Sequence, residues 1–206
     1  MDGGAWMEII KEIPIGWDTG YDFEQHHHML WQPLFSVEDC DRIIDLGEAG
    51  EKIKGTITDK HSVDPQIRNS SISWIHHNKD SDWLYYWIWT SALNTNFWGL
   101  DVVGFYDSLQ YTVYDANDGE AHYGWHTDTG PDMNHRKLSL SIQLSEPDEY
   151  SGGIFELERG GMLNTPEHLR KGNAIMFPSI LRHRVLPVTK GVRKSLVVWL
   201  AGPHIR

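Results

Sequence analysis

The sequence predicts a mainly β fold with flanking helices, in which a jelly-roll core is covered by helices from the N-terminal half. Three observations support this prediction. Helical periodicity is confined to the first hundred residues, short β-rich segments crowd the chain after Asp101, and those segments follow one another without the βαβ alternation of a parallel sheet. At 206 residues, with 40% hydrophobic and 12% aromatic side chains, the chain can bury one full core. No repeat, low-complexity tract or Pro/Ser-rich linker divides it, so we expect a single domain over 1–206, with 1–100 as helical support and 101–206 as the jelly roll.

In "FSVEDCDRIIDLG", Ser36 is placed to cap a helix, Glu38 and Asp39 lie in its first turn, and Gly47 falls near its end. Val37, Cys40, Ile43 and Ile44 share one face of that helix. A second helix is expected from Asp82 to about Asn96, with Trp83, Tyr86, Trp87, Thr90 and Leu93 forming an aromatic stripe that packs on a sheet. "SLQYTVYD" is rich in β-branched and aromatic residues. "RKLSLSIQLS" alternates, with Leu138, Leu140, Ile142 and Leu144 on one face and Ser139, Ser141 and Gln143 on the other. That polar face either meets solvent or lines a polar cavity inside a barrel. "SGGIFEL" supplies a Gly-Gly turn into a strand, "GNAIMFPS" a strand ending at proline, and "RKSLVVWLAG" a last strand.

Charge and composition exclude several functions. The formal charge of -11 argues against a protein that draws its affinity from a nucleic-acid backbone. Cys40 is the only cysteine, which rules out an internal disulfide and a thiolate metal cluster and fits a reducing compartment. The longest bulky apolar run, "WLYYWIW", falls far short of the roughly 20 residues needed to cross a bilayer. "MDGGAWMEII" lacks the pattern of a secretory signal, so the expectation is a soluble, cytoplasmic protein with no membrane partner.

Candidate chemistry centres on "HYGWHTDTG". Residues two apart on a strand point the same way, so His126 and Asp128 can grip one ion. Alone they could equally be an ordinary His–carboxylate hydrogen bond. His183, 57 positions further on in "FPSILRHRVLPVTKGVR", offers a third ligand. Two imidazoles and one carboxylate are the ligand set of non-haem Fe(II) oxygenases, which leaves coordination positions open. Arg193, ten positions after His183, carries a flat fork suited to the far carboxylate of a dicarboxylate such as 2-oxoglutarate. The clusters His26 to His28 and His76-His77 bring no carboxylate at comparable spacing, so we read them as packed or exposed imidazoles rather than a second metal site.

Taken together, "HTD", "RKLSLSIQLSEPDEYSGG" and "FPSILRHRVLPVTKGVRKSLVVW" resemble the 2-oxoglutarate- and Fe(II)-dependent dioxygenases of the prolyl 4-hydroxylase superfamily. The likeness is greatest to the PKHD-type hydroxylases of bacteria and phages. It is strong over about 105–202 and extends weakly through "FSVEDCDRII". The resemblance implies a double-stranded β-helix core, with His126, Asp128 and His183 as iron ligands and Arg193 on the 2-oxoglutarate 5-carboxylate. It places Tyr114 as a further cosubstrate contact. Gln143 sits where some relatives use a tyrosine towards the same carboxylate, and Trp199 matches a tryptophan common on the last strand.

The implied activity is hydroxylation of a C–H bond, on a prolyl or related residue of a peptide or protein, with release of succinate and CO2. The cofactors would be Fe(II), 2-oxoglutarate and O2, with ascorbate as a candidate reductant. Residues 101–206 would then be the catalytic core and 1–100 the substrate side. The alternatives are the same chemistry on a small metabolite, free amino acid or nucleobase, and a non-enzymatic jelly-roll binding protein.

Overall fold

The structure is a computed structural model, and it describes residues 27–56, 64–159 and 161–203. In chain order the elements are β1 (Met29–Trp31), α1 (Val37–Glu48), β2 (Ile53–Lys54), β3 (Arg68–Asn69), β4 (Ser71–Ile75), α2 (Asp82–Asn94) and β5 (Gly104–Phe105). Next come β6 (Leu109–Asp115), a 3-10 turn (Ala116–Asp118), β7 (Ala121–His126), β8 (Arg136–Gln143), β9 (Tyr150–Gly152), β10 (Phe155–Leu157) and β11 (Gly161–Leu163). The short α3 (Pro166–Leu169), β12 (Ala174–Pro178) and β13 (His183–Ala201) complete the chain.

The strands form two antiparallel layers that share β13. One layer runs β1-β12-β8-β13-β6-β4-β2. The other sets β7, β9 and β10 against the first part of β13, with β3 beyond β7 and β11 beyond β10. β13 pairs with β7, β10 and β9 from His183 to Gly191, then with β6 and β8 from Val192 onward. The sequence suggests "RKSLVVWLAG" as a separate last strand. Instead the backbone continues as one strand with register shifts and a left-handed residue, Gly191, at φ +71°. Any side chain there would collide with the Glu149 carbonyl, so glycine is required for the bend that carries β13 between layers. Gly152 and Gly153, also at positive φ, form the expected Gly-Gly turn between β9 and β10.

Ser36 caps α1 by accepting from the Asp39 amide at 3.1 Å. Cys40, Ile43 and Gly47 face the core, whereas Val37 lies outside the buried stripe at 53% exposed. α2 departs from expectation, because its buried face is Leu84, Tyr85, Ile88 and Ala92, while Tyr86, Trp87 and Leu93 are exposed. The helix is apolar on nearly every side, so spacing alone could not choose its inner stripe. The N-terminal cover is also less helical than expected, since β1 to β4 all precede Asp101. These strands are two to five residues long and too short to show a clear period.

On β8, Leu138, Leu140 and Ile142 enter the main core, and Ser139, Ser141 and Gln143 are buried on the opposite face. Of the two readings of the alternating strand, the polar interior is the one that holds. Among the described residues, no helix is long and apolar enough to cross a membrane.

Candidate metal and dicarboxylate site

β7 ends at His126, and Asp128 follows in the loop just beyond the strand, its amide donating to the Ser179 carbonyl. His183 opens β13 directly opposite His126 in the ladder. The two imidazoles and the carboxylate therefore meet where the β7 and β13 ends converge, with their ligand atoms within 4.8 Å of one another. Asp128 is thus placed by the loop rather than by strand alternation. Among the described residues this is the one group of three or more His, Cys, Asp or Glu side chains spaced to hold a metal.

The hydrogen bonds settle which imidazole nitrogen faces the others. His126 Nδ1 lies 2.8 Å from the Gly124 carbonyl, and His183 Nδ1 lies 2.9 Å from the Leu181 carbonyl. A carbonyl only accepts, so each Nδ1 carries the proton and each Nε2 presents a lone pair. Those Nε2 atoms lie 3.7 Å (His126) and 3.5 Å (His183) from the Asp128 carboxylate oxygens, wider than a good hydrogen bond and open enough for an ion between them.

Burial, and next the His183 imidazole, hold the His126 pKa down to about 3, so it is a neutral donor at ordinary pH. Burial pushes the Asp128 carboxyl up, but His183, His126, a hydrogen bond from Ser139 and the charge of Arg136 together hold it below the usual range. This donor set of two imidazoles and one carboxylate fits Fe(II) chemically.

The supporting residues were not singled out from sequence. Ser139 Oγ donates to Asp128 Oδ2 at 2.6 Å and contacts Ser179 Oγ at 2.9 Å. Arg136 reaches the Asp128 carbonyl at 3.4 Å, pairs with Asp107 at 2.9 Å and lies over the Trp199 ring at 3.7 Å. Tyr123 stacks on His126 with centroids 3.5 Å apart, and Phe177 packs edge-on against His183 at 4.8 Å. Ser139 sits on the polar face that the β8 alternation marks, but its partner across the fold had no signal in the sequence.

The three ligands open onto a cavity of about 210 Å³, on the scale of a small metabolite rather than a drug-sized molecule. Arg193, Tyr114, Trp199 and Phe155 also line it. Arg193 is 1% exposed. Its Nη2 donates to Gln143 Oε1 at 3.1 Å, Nη1 reaches Ser195 Oγ at 3.4 Å, and Nε is buried without a partner.

Arg193 faces Tyr114 across the β6–β13 ladder, with its guanidinium carbon 5.6 Å from the Tyr114 ring centroid. Burial raises the Tyr114 pKa against the opposing pull of Arg68 and Arg193. Tyr114, Arg193 and Gln143 thus come together on three adjacent strands. A buried guanidinium with an orphaned N–H and only neutral partners fits the carboxylate of a small diacid.

The histidine clusters stay apart from this centre. His76 bonds Ser108 and His77 bonds Asp82. His28 packs beside His168 at 5.7 Å, and His26 lies outside the described residues.

Fold and site define a jelly-roll protein in which two histidines and one carboxylate are grouped closely enough to hold a metal ion. Residues 109–201 match the family model of the 2OG-Fe(II) oxygenase superfamily. A PKHD-type hydroxylase of Synechococcus sp. (strain CC9605) is 37% identical over 86 residues, 41% of this chain and 38% of the relative. One from Aliarcobacter butzleri (strain RM4018) is 36% identical over 95 residues, 42% of this chain and 41% of the relative. The matched part thus spans well under half the length of these curated relatives.

Among solved structures, a Pseudomonas putida prolyl-4-hydroxylase superposes with TM-score 0.64 at 20% identity, over 88% of this chain and 96% of that one. A Trichoplax adhaerens prolyl hydroxylase, solved with a hypoxia inducible factor peptide fragment, gives TM-score 0.71 at 14% identity, over 87% and 86%. At such identities these two structures speak for the shared fold.

Proposed function

We propose that this protein is an Fe(II)- and 2-oxoglutarate-dependent hydroxylase acting on a prolyl or related residue of a peptide or protein. The observation that carries this reading is the convergence of His126, Asp128, His183 and the charge-unpaired Arg193 on one small cavity. In it, His126, Asp128 and His183 hold Fe(II), while Arg193, with Tyr114 and Gln143, holds the 5-carboxylate of 2-oxoglutarate. Bound together with O2, iron and 2-oxoglutarate supply the oxidation that hydroxylates a C–H bond and leaves succinate and CO2.

The chain's own residues do the rest. The backbone carbonyls of Gly124 and Leu181 fix both imidazole tautomers, and Ser139 fixes the carboxylate. Phe155, Phe177 and Val185 wall the cavity against water. The cavity also receives Thr56 and Arg68 from the N-terminal half, which supports 1–100 as the substrate side and 101–206 as the catalytic core.

A peptide substrate accords with the peptide held by the Trichoplax adhaerens relative. The small volume of the cavity favours, as a second reading, a free amino acid or other small metabolite. The test is succinate formation that depends on both Fe(II) and 2-oxoglutarate, with ascorbate present as reductant. Mass spectrometry of candidate prolyl peptides and free amino acids would look for the gain of one oxygen atom. A jelly-roll binding protein without activity would release no succinate.

A further inference from the structure

Arg68 is a second buried cation in the same cavity, 5% exposed, and the hydroxylase reading gives it no task. Its Nε donates to Ser70 Oγ and its Nη1 to the Thr56 carbonyl, both at 2.9 Å. On one side the guanidinium lies over the Tyr123 ring at 4.5 Å, and Tyr123 in turn stacks on His126. On the other side it rests against Gly55, where an added Cβ would come within 2.4 Å of Nε. The fork is therefore clamped in place, with neutral oxygens taking two of its three nitrogens.

Among the described residues, no carboxylate pairs with Arg68. Arg136, by contrast, has Asp107. A buried charge without a counter-charge is costly, so such groups are retained where a ligand supplies the partner. Among the described residues the cavity thus contains two cations without a paired carboxylate, Arg193 and Arg68. One molecule of 2-oxoglutarate, chelated at its other end, accounts for only one of them.

Building on the hydroxylase reading, we propose that Arg68 binds a carboxylate of the prime substrate, so that this protein acts on substrates carrying a negative charge beside the hydroxylated residue. The carboxylate is either the α-carboxylate of the target residue or an acidic side chain next to it. Nη2 is the donor left for it, and Arg68 lines the same cavity as His126, with the Tyr123 ring in contact with both.

The experiment uses two matched probe pairs. The first is N-acetyl-L-proline and its methylamide; the second is N-acetyl-prolyl-aspartate methylamide and the asparagine counterpart. Each is titrated without O2 into protein loaded with Fe(II) and 2-oxoglutarate, following tryptophan fluorescence or heat. The acid of one pair should bind about 10-fold or more tighter than its neutral twin, the return on a charge-assisted hydrogen bond in a dry site. Which pair discriminates identifies the source of the carboxylate.

Arg68→Gln should abolish the discrimination while leaving 2-oxoglutarate affinity unchanged, and Arg68→Lys should retain part of it. Neutral twins that bind as well as the acids in wild type would overturn the proposal, as would the absence of acid binding up to ~10 mM. Discrimination that survives Arg68→Gln, or a loss confined to 2-oxoglutarate affinity, would also overturn it. Failure of the hydroxylase reading itself would show separately, as wild-type protein that binds no 2-oxoglutarate in the presence of Fe(II).

Discussion

Arg193→Ala offers the sharpest test of the proposed cosubstrate pocket. The guanidinium is 1% exposed and is held by Gln143 and Ser195, both neutral, while its Nε has no partner at all. The bound diacid would bring a counter-charge to this group, and removing one member of a desolvated pair costs about 2 to 5 kcal/mol. At about 1.4 kcal/mol per tenfold change, even the low end weakens 2-oxoglutarate binding roughly 30-fold. Arg193→Lys should recover part of the loss, because the charge returns without the two-pronged geometry.

The assay is a 2-oxoglutarate titration at saturating Fe(II), following succinate, with Fe(II) content measured in parallel and expected to be unchanged. One further consequence separates a ligand-binding arginine from a structural one. With no diacid bound, Arg193 is a buried charge lacking a counter-charge, so replacing it should cost the apo protein little stability, and 2-oxoglutarate should raise the wild-type melting temperature more than the variant's. Equal half-saturation in all three proteins would refute the reasoning, and the carboxylate clamp would have to be sought elsewhere in the cavity.

Three further predictions concern the metal end. His126→Ala and His183→Ala should each abolish 2-oxoglutarate turnover and lower Fe(II) content, because two ligands hold neither the ion nor its geometry; wild-type turnover with full iron would refute the site. Ser139→Ala removes the 2.6 Å donor to Asp128 and should weaken Fe(II) affinity by about 10-fold to 100-fold, read by competition with a chelator; unchanged affinity would show that Ser139 does not orient the carboxylate. The third concerns pH. His126 drops from 6.5 to about 3 on folding, so between those values the unfolded chain binds a proton that the native site refuses. Metal-free protein should therefore lose stability as pH falls through that window, and denaturant titrations should show a shallower slope for His126→Ala.

Where the sequence was informative, it was because local chemistry survives into the fold. His126 and Asp128 were legible as a pair because they are close in sequence, although the strand ends at His126 and the loop, not strand alternation, places the carboxylate. Ser139, Ser141 and Gln143 were legible as a face, since strict alternation on β8 separates them from the leucines whatever lies opposite. Their partners were not, because the bond from Ser139 to Asp128 spans a register that the whole sheet has to set. Arg68 gave no signal either, because its neutral partners, Ser70 and the Thr56 carbonyl, are set by the fold. The inner stripe of α2 was misread for a related reason, since a helix with aromatics on several faces has its buried face chosen by the sheet it meets.

β13 explains why the two ends of the site travel together in the sequence. His183 belongs to the layer that includes β7, and Arg193 to the layer that includes β6. A strand confined to one layer could supply the metal ligand or the guanidinium to the space between the layers, but it would not connect opposite ends of that space. The left-handed bend at Gly191 moves the strand from one layer to the other within the ten positions between the two residues. The spacing from His183 to Arg193 is thus the path of a strand crossing the core, and its length fixes how far the Arg193 guanidinium sits from the His183 imidazole. Any insertion between them would shift Arg193 out of register with Tyr114, so the spacing that reads as a motif in the sequence is a structural requirement of the cavity.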